Sequence, residues 1–154
     1  MGQKKRRKIP LGESNFKYII EKDFYYIDKT LFIHNIIQSD SKILLFPRPR
    51  RFGKTINISM LRYFFEKSDD SNANLFNRLA IKNLPAWKYQ GKYPVINLSL
   101  RNCHGRQWQS FFTNFTHEIS SEYHRHAYLL GSDVLDKHEK VDFESIIWRK
   151  VAIP

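Results

Sequence analysis

The sequence predicts an α/β fold, because two short apolar strands alternate with segments of helical periodicity. Residues 43–46 form a continuous apolar run that is typical of a strand covered on both faces. Residues 95–100 form the second predicted strand. A segment of helical period follows each strand, at about residues 54–66 and 108–123. This order favours an incomplete parallel sheet with flanking helices.

The remaining elements follow from local signals. Ser14 is expected to cap a short helix through residue 22, and Asp28 another that ends near residue 38. In the helix at residues 54–66, the apolar stripe Ile58, Leu61 and Phe65 lies beside Met60 and Phe64. Residues 75–84 fit a further short helix, and the aromatic stripe of residues 108–119 is expected to be core. Residues 131–154 are polar and weakly patterned.

Composition excludes several classes of protein. Hydrophobic residues make up 42% of the 154 residues and aromatic residues 15%, which is not the composition of a disordered chain. No apolar run approaches the ~20 residues that span a bilayer, so no membrane partner is expected. A secretory signal is not expected either, because no apolar region follows the basic run of residues 4–8. The single cysteine, Cys103, suits a reducing compartment, and a cytoplasmic location is expected.

The net charge of +11 favours polyanionic partners, either nucleotides or nucleic acid. Residues 4–8 are an unbroken basic run, and a second group of cations lies between Arg48 and Arg62. Residues 1–8 are predicted to be a basic, disordered leader. The alternative is an arm that binds nucleic acid.

A basic loop between the first strand and its helix carries the predicted chemistry. It consists of Arg48, Pro49, Arg50, Arg51, Phe52, Gly53, Lys54 and Thr55. A loop that ends in Gly-Lys-Thr, after a strand and before a helix, is typical of a phosphate-binding loop. In such loops, backbone N–H groups and the N-terminus of the helix bind phosphate oxygens. We therefore predict that the loop binds ATP, with Lys54 on the β- and γ-phosphates and the Thr55 hydroxyl on Mg²⁺.

The loop departs from the full P-loop pattern, which has glycine at the position of Arg48. Arginine restricts φ there, and Pro49 removes one backbone N–H group. On the residues alone, an ordinary basic turn remains the alternative.

Several ordered blocks of the sequence resemble the AAA-ATPase-like family of bacterial and archaeal proteins, over residues 9–130. The blocks are Ile9-Pro10-Leu11-Gly12 with Phe16, Tyr25-Tyr26-Ile27-Asp28-Lys29-Thr30, Leu44-Leu45-Phe46, the loop of residues 48–55, Ser59-Met60-Leu61, and Gly91-Lys92-Tyr93-Pro94-Val95-Ile96 with Leu98-Ser99. The resemblance implies a P-loop NTPase-like fold, a loop poor in glycine, and ATPase activity. It also implies a C-terminal nuclease-like domain of the PD-(D/E)XK type in many members.

The chain lacks the next block of that family, a strand that ends in the acidic residues of Walker B. No run of four apolar residues followed by Asp or Glu occurs after Leu100. We therefore expect residues 9–130 to be the N-terminal part of the domain, with a tail at residues 131–154. We also expect ATP–Mg²⁺ binding without efficient hydrolysis, and no catalytic residue is assigned. The expected partners are the missing C-terminal part or another copy of the chain. A nucleic-acid-binding module and a non-catalytic remnant of a split gene are the alternatives.

Other polar residues admit two interpretations each. Asp28, Lys29 and Thr30 either line the base or ribose of the nucleotide, or Asp28 only caps a helix. Arg50 and Arg51 either act on phosphate, by neutralising it or as arginine fingers on a neighbouring subunit, or are loop-stabilising or solvated residues. The six histidines lack the spacing of zinc ligands, so no zinc site is predicted.

Overall fold

A computed structural model of the chain describes residues 7–68, 70–104 and 107–148. The chain forms two compact units, residues 1–95 and residues 96–154. The described helices are α1 (Phe16–Glu21), α2 (Leu31–Ile37), α3 (Lys54–Phe65), α4 (Trp108–Arg125) and α5 (Lys137–Ile147). Most of the predicted leader, residues 1–6, lies outside the described residues, and the predicted boundaries at residues 8 and 130 stay predictions.

The first unit contains α1, α2 and α3 and three 3-10 turns. α1 begins after Asn15, whose side chain accepts the N–H of Tyr18 at 3.2 Å, so the capping residue is one later than predicted. The 3-10 turns are Asn72–Phe76, Ala80–Asn83 and Pro85–Tyr89, where a short helix was predicted at residues 75–84. These short turns wrap the helices and bring their own apolar side chains into the core.

Aromatic rings dominate the core of this unit. Phe16 of α1 stacks on Phe76 with ring centroids 5.1 Å apart, and Phe64 of α3 meets Phe76 edge-on at 5.4 Å. Ile33 of α2 is fully buried in the same cluster. Each such ring buries a large apolar area, which fixes the three helices against the turns.

The second unit pairs α4 with α5. Tyr123 and Phe143 pack with ring centroids 4.7 Å apart, and the Ser120 hydroxyl donates to the carbonyl of Ile147 at 2.7 Å. α5 lies in the segment predicted to be weakly patterned. The aromatic stripe at the start of α4 is less buried than predicted, since Trp108 is 69% exposed. Among the described helices, none combines the length and apolar character that crossing a bilayer requires.

The predicted α/β fold, an incomplete parallel sheet of the P-loop NTPase-like type, is wrong. Residues 7–68, 70–104 and 107–148 contain no strand, and Glu66 and Tyr93 form only an isolated parallel bridge. Residues 43–46 are exposed rather than covered on both faces, with Ile43 87% and Leu45 86% exposed. The segment has the side chains of a strand, but no backbone in the described residues pairs with it.

The second predicted strand is held by side chains instead of a neighbouring strand. Glu122 accepts the N–H of Asn97 at 2.7 Å, and Glu118 accepts the N–H of Ser99 at 3.0 Å. Glutamates four residues apart on a helix are separated by about 6 Å along its axis. Alternate residues of an extended chain are separated by about 6.6 Å. The two carboxylates of α4 are therefore spaced like the N–H groups of Asn97 and Ser99. In a sheet, a neighbouring strand would accept those N–H groups instead.

Candidate functional site

The basic loop of residues 48–55 joins the extended residues 43–46 to α3. Gly53 is the N-cap of α3, and Lys54 is its first residue. No side chain in the described part of the chain caps this end of the helix. The first N–H groups of an α-helix have no acceptor inside the helix and carry the positive end of its dipole. The loop therefore lies at the start of a helix, as the sequence predicts.

Two residues of the loop have left-handed backbone conformations. Gly53 has φ of +75° and Arg51 has φ of +69°. Glycine adopts this region freely, whereas an L-residue with a side chain costs about 1–2 kcal/mol there. A Cβ on Gly53 would lie 3.4 Å from Ile56 Cγ2 and 3.7 Å from Lys29 Nζ, which are ordinary contacts. Backbone conformation, rather than lack of space, therefore favours glycine at this position.

The Lys54 side chain folds back onto the loop. Its ammonium group donates to the carbonyl oxygen of Arg48, and the carbonyl of Pro49 lies 3.5 Å from it. Lys54 is nevertheless exposed, as is Thr55 in the first turn of α3. A cation and a hydroxyl thus lie next to each other at the positive end of the helix.

The remaining loop side chains are also exposed. Arg48, Arg50 and Arg51 form no ion pair with a carboxylate of the described residues. Phe52, which follows these arginines, is 60% exposed. The loop is therefore a concentrated patch of positive charge, and such a patch attracts anions.

A network of hydrogen bonds around Asp28 and Thr30, which we call the Asp28–Thr30 brace, lies upstream of the loop. Asp28 accepts the N–H and the hydroxyl of Thr30, at 2.8 and 2.7 Å, and also the N–H of Ala80 at 2.7 Å. The hydroxyl oxygen of Thr30, which is fully buried, accepts the N–H of Ile81 at 3.2 Å. The N-cap of α2 is Thr30 rather than Asp28. The carboxylate therefore acts mainly by tying residues 28–30 to residues 80–81.

Lys29 lies between the two members of the brace, and its ammonium group reaches the loop near Gly53. The sequence singles out Lys29 only through its motif. No spacing in the sequence indicates that it approaches a glycine that follows it by more than twenty residues.

Tyr26 is next to the brace and is partly buried. Its hydroxyl donates to Met60 Sδ at 3.3 Å, and its ring meets Phe16 edge-on with centroids 5.4 Å apart. Burial raises the pKa of Tyr26 to about 12. The backbone N–H of Lys29 lowers this pKa, and the charge of Asp28 raises it further. Tyr26 is therefore a neutral, packed phenol at physiological pH.

Candidate metal ligands are few around the loop. In the described residues, no three His, Cys, Asp or Glu side chains lie close enough together to hold a metal ion. Magnesium prefers oxygen ligands, keeps several waters, and is commonly bound through few protein groups together with substrate phosphates. The exposed Thr55 hydroxyl fits that mode, in which the ion arrives with the nucleotide.

Comparison with known proteins identifies the family. The sequence model of a family described as "Predicted AAA-ATPase" matches residues 10–150, which is most of the chain. The chain belongs to the AAA-ATPase-like family. Membership supports nucleotide binding at a coarse level, and it confirms the resemblance that the sequence blocks indicate.

One curated relative of this AAA-ATPase-like chain is the "Uncharacterized protein in vnfD 5'region" of Azotobacter chroococcum mcd 1. The two are 35% identical over 95 residues, which are 61% of this chain and 17% of the relative. The chain thus spans less than one fifth of the length of that relative. No solved structure matches the chain.

Proposed function

We propose that this AAA-ATPase-like chain binds ATP together with Mg²⁺ through the basic loop of residues 48–55. The observation that carries the proposal is the position of Lys54. Its ammonium group lies over the loop, at the N-terminus of α3, and its hydrogen bonds within the described residues are to backbone carbonyl oxygens. Phosphate oxygens are stronger partners for an ammonium group than carbonyls, because the bond is then between two charged groups.

The other loop residues have complementary roles in this proposal. The free N–H groups at the start of α3 bind phosphate oxygens, and the left-handed Gly53 turns the chain so that the helix begins there. Arg48, Arg50 and Arg51 neutralise the phosphate charge, while Pro49 and Phe52 shape the loop. The strained φ of Arg51 supports a functional loop, since such strain clusters at ligand-binding sites. Thr55 would hold Mg²⁺, which when bound neutralises charge on the phosphates.

Isothermal titration calorimetry with ATP and Mg²⁺ tests the proposal. Lys54→Ala is expected to weaken binding about tenfold or more, because charge-assisted hydrogen bonds contribute about 1.5–3 kcal/mol. Lys67→Ala is the matched control. Lys67 is also exposed, but it follows the other end of α3, about 18 Å from Lys54 along the helix.

Two results would contradict the site. The first is no binding of ATP by the wild-type chain in the presence of Mg²⁺. The second is an equal affinity for the wild type and Lys54→Ala. An equal loss in Lys67→Ala would instead show that general positive charge, rather than the loop, binds the nucleotide.

A second candidate function is nucleic-acid binding, and one observation favours it. Arg50, Arg51 and the 60% exposed Phe52 together present cations and an aromatic ring on one loop. Single-stranded nucleic acid is bound by such combinations. The affinity for nucleic acid would fall steeply with salt concentration, and binding would not require Mg²⁺.

The proposed location of the chain is a reducing, cytoplasmic environment, because Cys103 is a buried free thiol.

A further inference from the structure

Lys29 brings a second ammonium group to the start of α3. Its Nζ lies 3.7 Å from the position that a Cβ on Gly53 would occupy, and Gly53 is the N-cap of the helix. Lys29 forms no ion pair with a carboxylate of the described residues. Its nearest carboxylate in sequence, Asp28, is already bonded to Thr30 and Ala80.

This position is electrostatically unfavourable for a lysine without an anion. The N-terminus of a helix carries partial positive charge, so cations are favoured at the opposite end. Lys54 and the loop arginines add further positive charge to the same place. A bound polyanion is attracted to each of these positive groups and offsets the repulsion between them.

The Asp28–Thr30 brace fixes the backbone on both sides of Lys29. Four hydrogen bonds hold Asp28 and Thr30, two within the pair and two to residues 80–81. A side chain whose backbone is fixed near its ligand loses less conformational freedom on binding. The brace therefore fixes the backbone position from which the exposed Lys29 side chain extends.

We propose that Lys29 is a second phosphate-binding cation, which contacts the phosphate chain of a nucleoside triphosphate rather than its base or ribose. This inference rests on the proposed function of the loop. In it Lys54 binds the phosphates from the helix side, and Lys29 binds them from the side of the brace. The brace residues are positioning residues that act through Lys29.

Titrations of Lys29→Ala with ATP and with adenosine test the inference, with Lys54→Ala and Lys67→Ala measured beside it. We expect Lys29→Ala to weaken the binding of ATP with Mg²⁺ about five- to tenfold, since an exposed cation is partly screened by water. The weaker binding of adenosine should be unchanged, because adenosine has no phosphate. Lys29→Arg should retain most of the affinity for ATP.

The outcomes separate this inference from the function on which it rests. If Lys54→Ala loses affinity but Lys29→Ala equals the wild type, the inference is overturned and the loop remains a nucleotide site. If Lys29→Ala weakens ATP and adenosine by the same factor, Lys29 contacts the base or ribose, and the inference is overturned as well. If the wild type does not bind ATP, the proposed function fails and this inference fails with it.

A double-mutant cycle tests the role of the brace. Thr30→Val keeps the shape of the side chain but removes the hydroxyl that Asp28 and Ile81 share. We expect it to lower ATP affinity about threefold in the wild-type background and to have no effect beside Lys29→Ala. If circular dichroism shows that Thr30→Val is unfolded, Asp28→Asn takes its place in the cycle. Additive effects in the cycle with whichever variant folds would overturn the positioning role.

Discussion

Glu122 of α4 offers a stringent test of how the second unit is held together. Its carboxylate is nearly buried, with 8% of the side chain exposed. It accepts the N–H of Asn97 at 2.7 Å, and it pairs with Arg125 at 2.5 Å and with His126 at 3.6 Å. Glu122→Gln retains an oxygen for Asn97 and removes the charge. The substitution therefore isolates the contribution of the ionic contacts.

The expected loss follows from burial. Removing one member of a buried ion pair costs about 3–5 kcal/mol, because the charge of the other member stays buried without full compensation. The Arg125 side chain is 26% exposed, so water compensates part of that loss. We expect Glu122→Gln to lower the free energy of unfolding by about 2–3 kcal/mol.

Glu118 is the matched control, because it occupies the preceding turn of α4 and accepts the N–H of Ser99 at 3.0 Å. It is only half-buried, and no ion pair of Glu118 occurs within the described residues. Glu118→Gln should therefore cost less than about 1 kcal/mol. Urea denaturation followed by tryptophan fluorescence measures both variants, since Trp108 and Trp148 lie in this unit.

An alanine variant examines the backbone contact itself. Glu122→Ala should speed hydrogen exchange at the Asn97 N–H, which loses its acceptor. Equal losses of stability for Glu122→Gln and Glu118→Gln would refute the reasoning from burial. Unchanged exchange at Asn97 in Glu122→Ala would show that the carboxylate does not hold the extended segment.

The remaining predictions concern alkaline stability and catalysis. The pKa of Tyr26 rises from 10.0 to about 12 through burial, so its stabilising effect is complete below pH 10 and is lost as pH rises through 12. Between pH 8 and pH 11 the wild type should lose about 1.4 kcal/mol more stability than Tyr26→Phe, by urea denaturation, and equal losses would contradict a buried phenol. The 154-residue chain should release phosphate from ATP far more slowly than ~1 s⁻¹, since the described residues bring no acidic cluster together. If the wild type releases phosphate at about 1 s⁻¹ and Lys54→Ala does not, ATP hydrolysis does not need an acidic cluster.

Local signals predicted α3 and α4 well. The predicted helix at residues 54–66 is α3, Lys54–Phe65, and the predicted helix at residues 108–123 is α4, Trp108–Arg125. The missed helix, α5, also had a local signal. Asp136 and Glu139 form a capping box, in which each side chain accepts the other's backbone N–H. That pair of residues was enough to mark the start of a helix in the weakly patterned tail.

The buried faces were predicted less well than the helices. The stripe that includes Ile58 was the more regular one in α3, yet Ile58 is 54% exposed while Met60 and Phe64 are fully buried. Two overlapping apolar stripes occur in this helix. Which stripe meets the core depends on distant residues such as Phe76, whose position the local sequence does not specify.

The predicted sheet failed for the same physical reason. Apolar alternation and β-branched residues describe a side-chain surface, but a strand also requires a backbone neighbour. In residues 95–100 that requirement is met at Asn97 and Ser99 by carboxylates of α4, which the sequence places about twenty residues away. A run of strand-like residues therefore predicts an extended backbone better than it predicts the sheet itself.

The candidate site combines both kinds of information. Gly53, Lys54 and the start of α3 are consecutive, so the sequence alone predicted where the helix N-terminus and the lysine would be. Lys29 reaches the same place from a segment whose Asp28 and Thr30 are tied to residues 80–81, a contact that spans about fifty residues. Phosphate binding by a loop with few glycines gains from such an addition, because Arg48 and Pro49 offer fewer favourable backbone N–H groups than glycines would. In the proposed site, a distant cation contributes the attraction that the loop backbone lacks, and the motif around Lys29 and the basic loop are parts of one anion site.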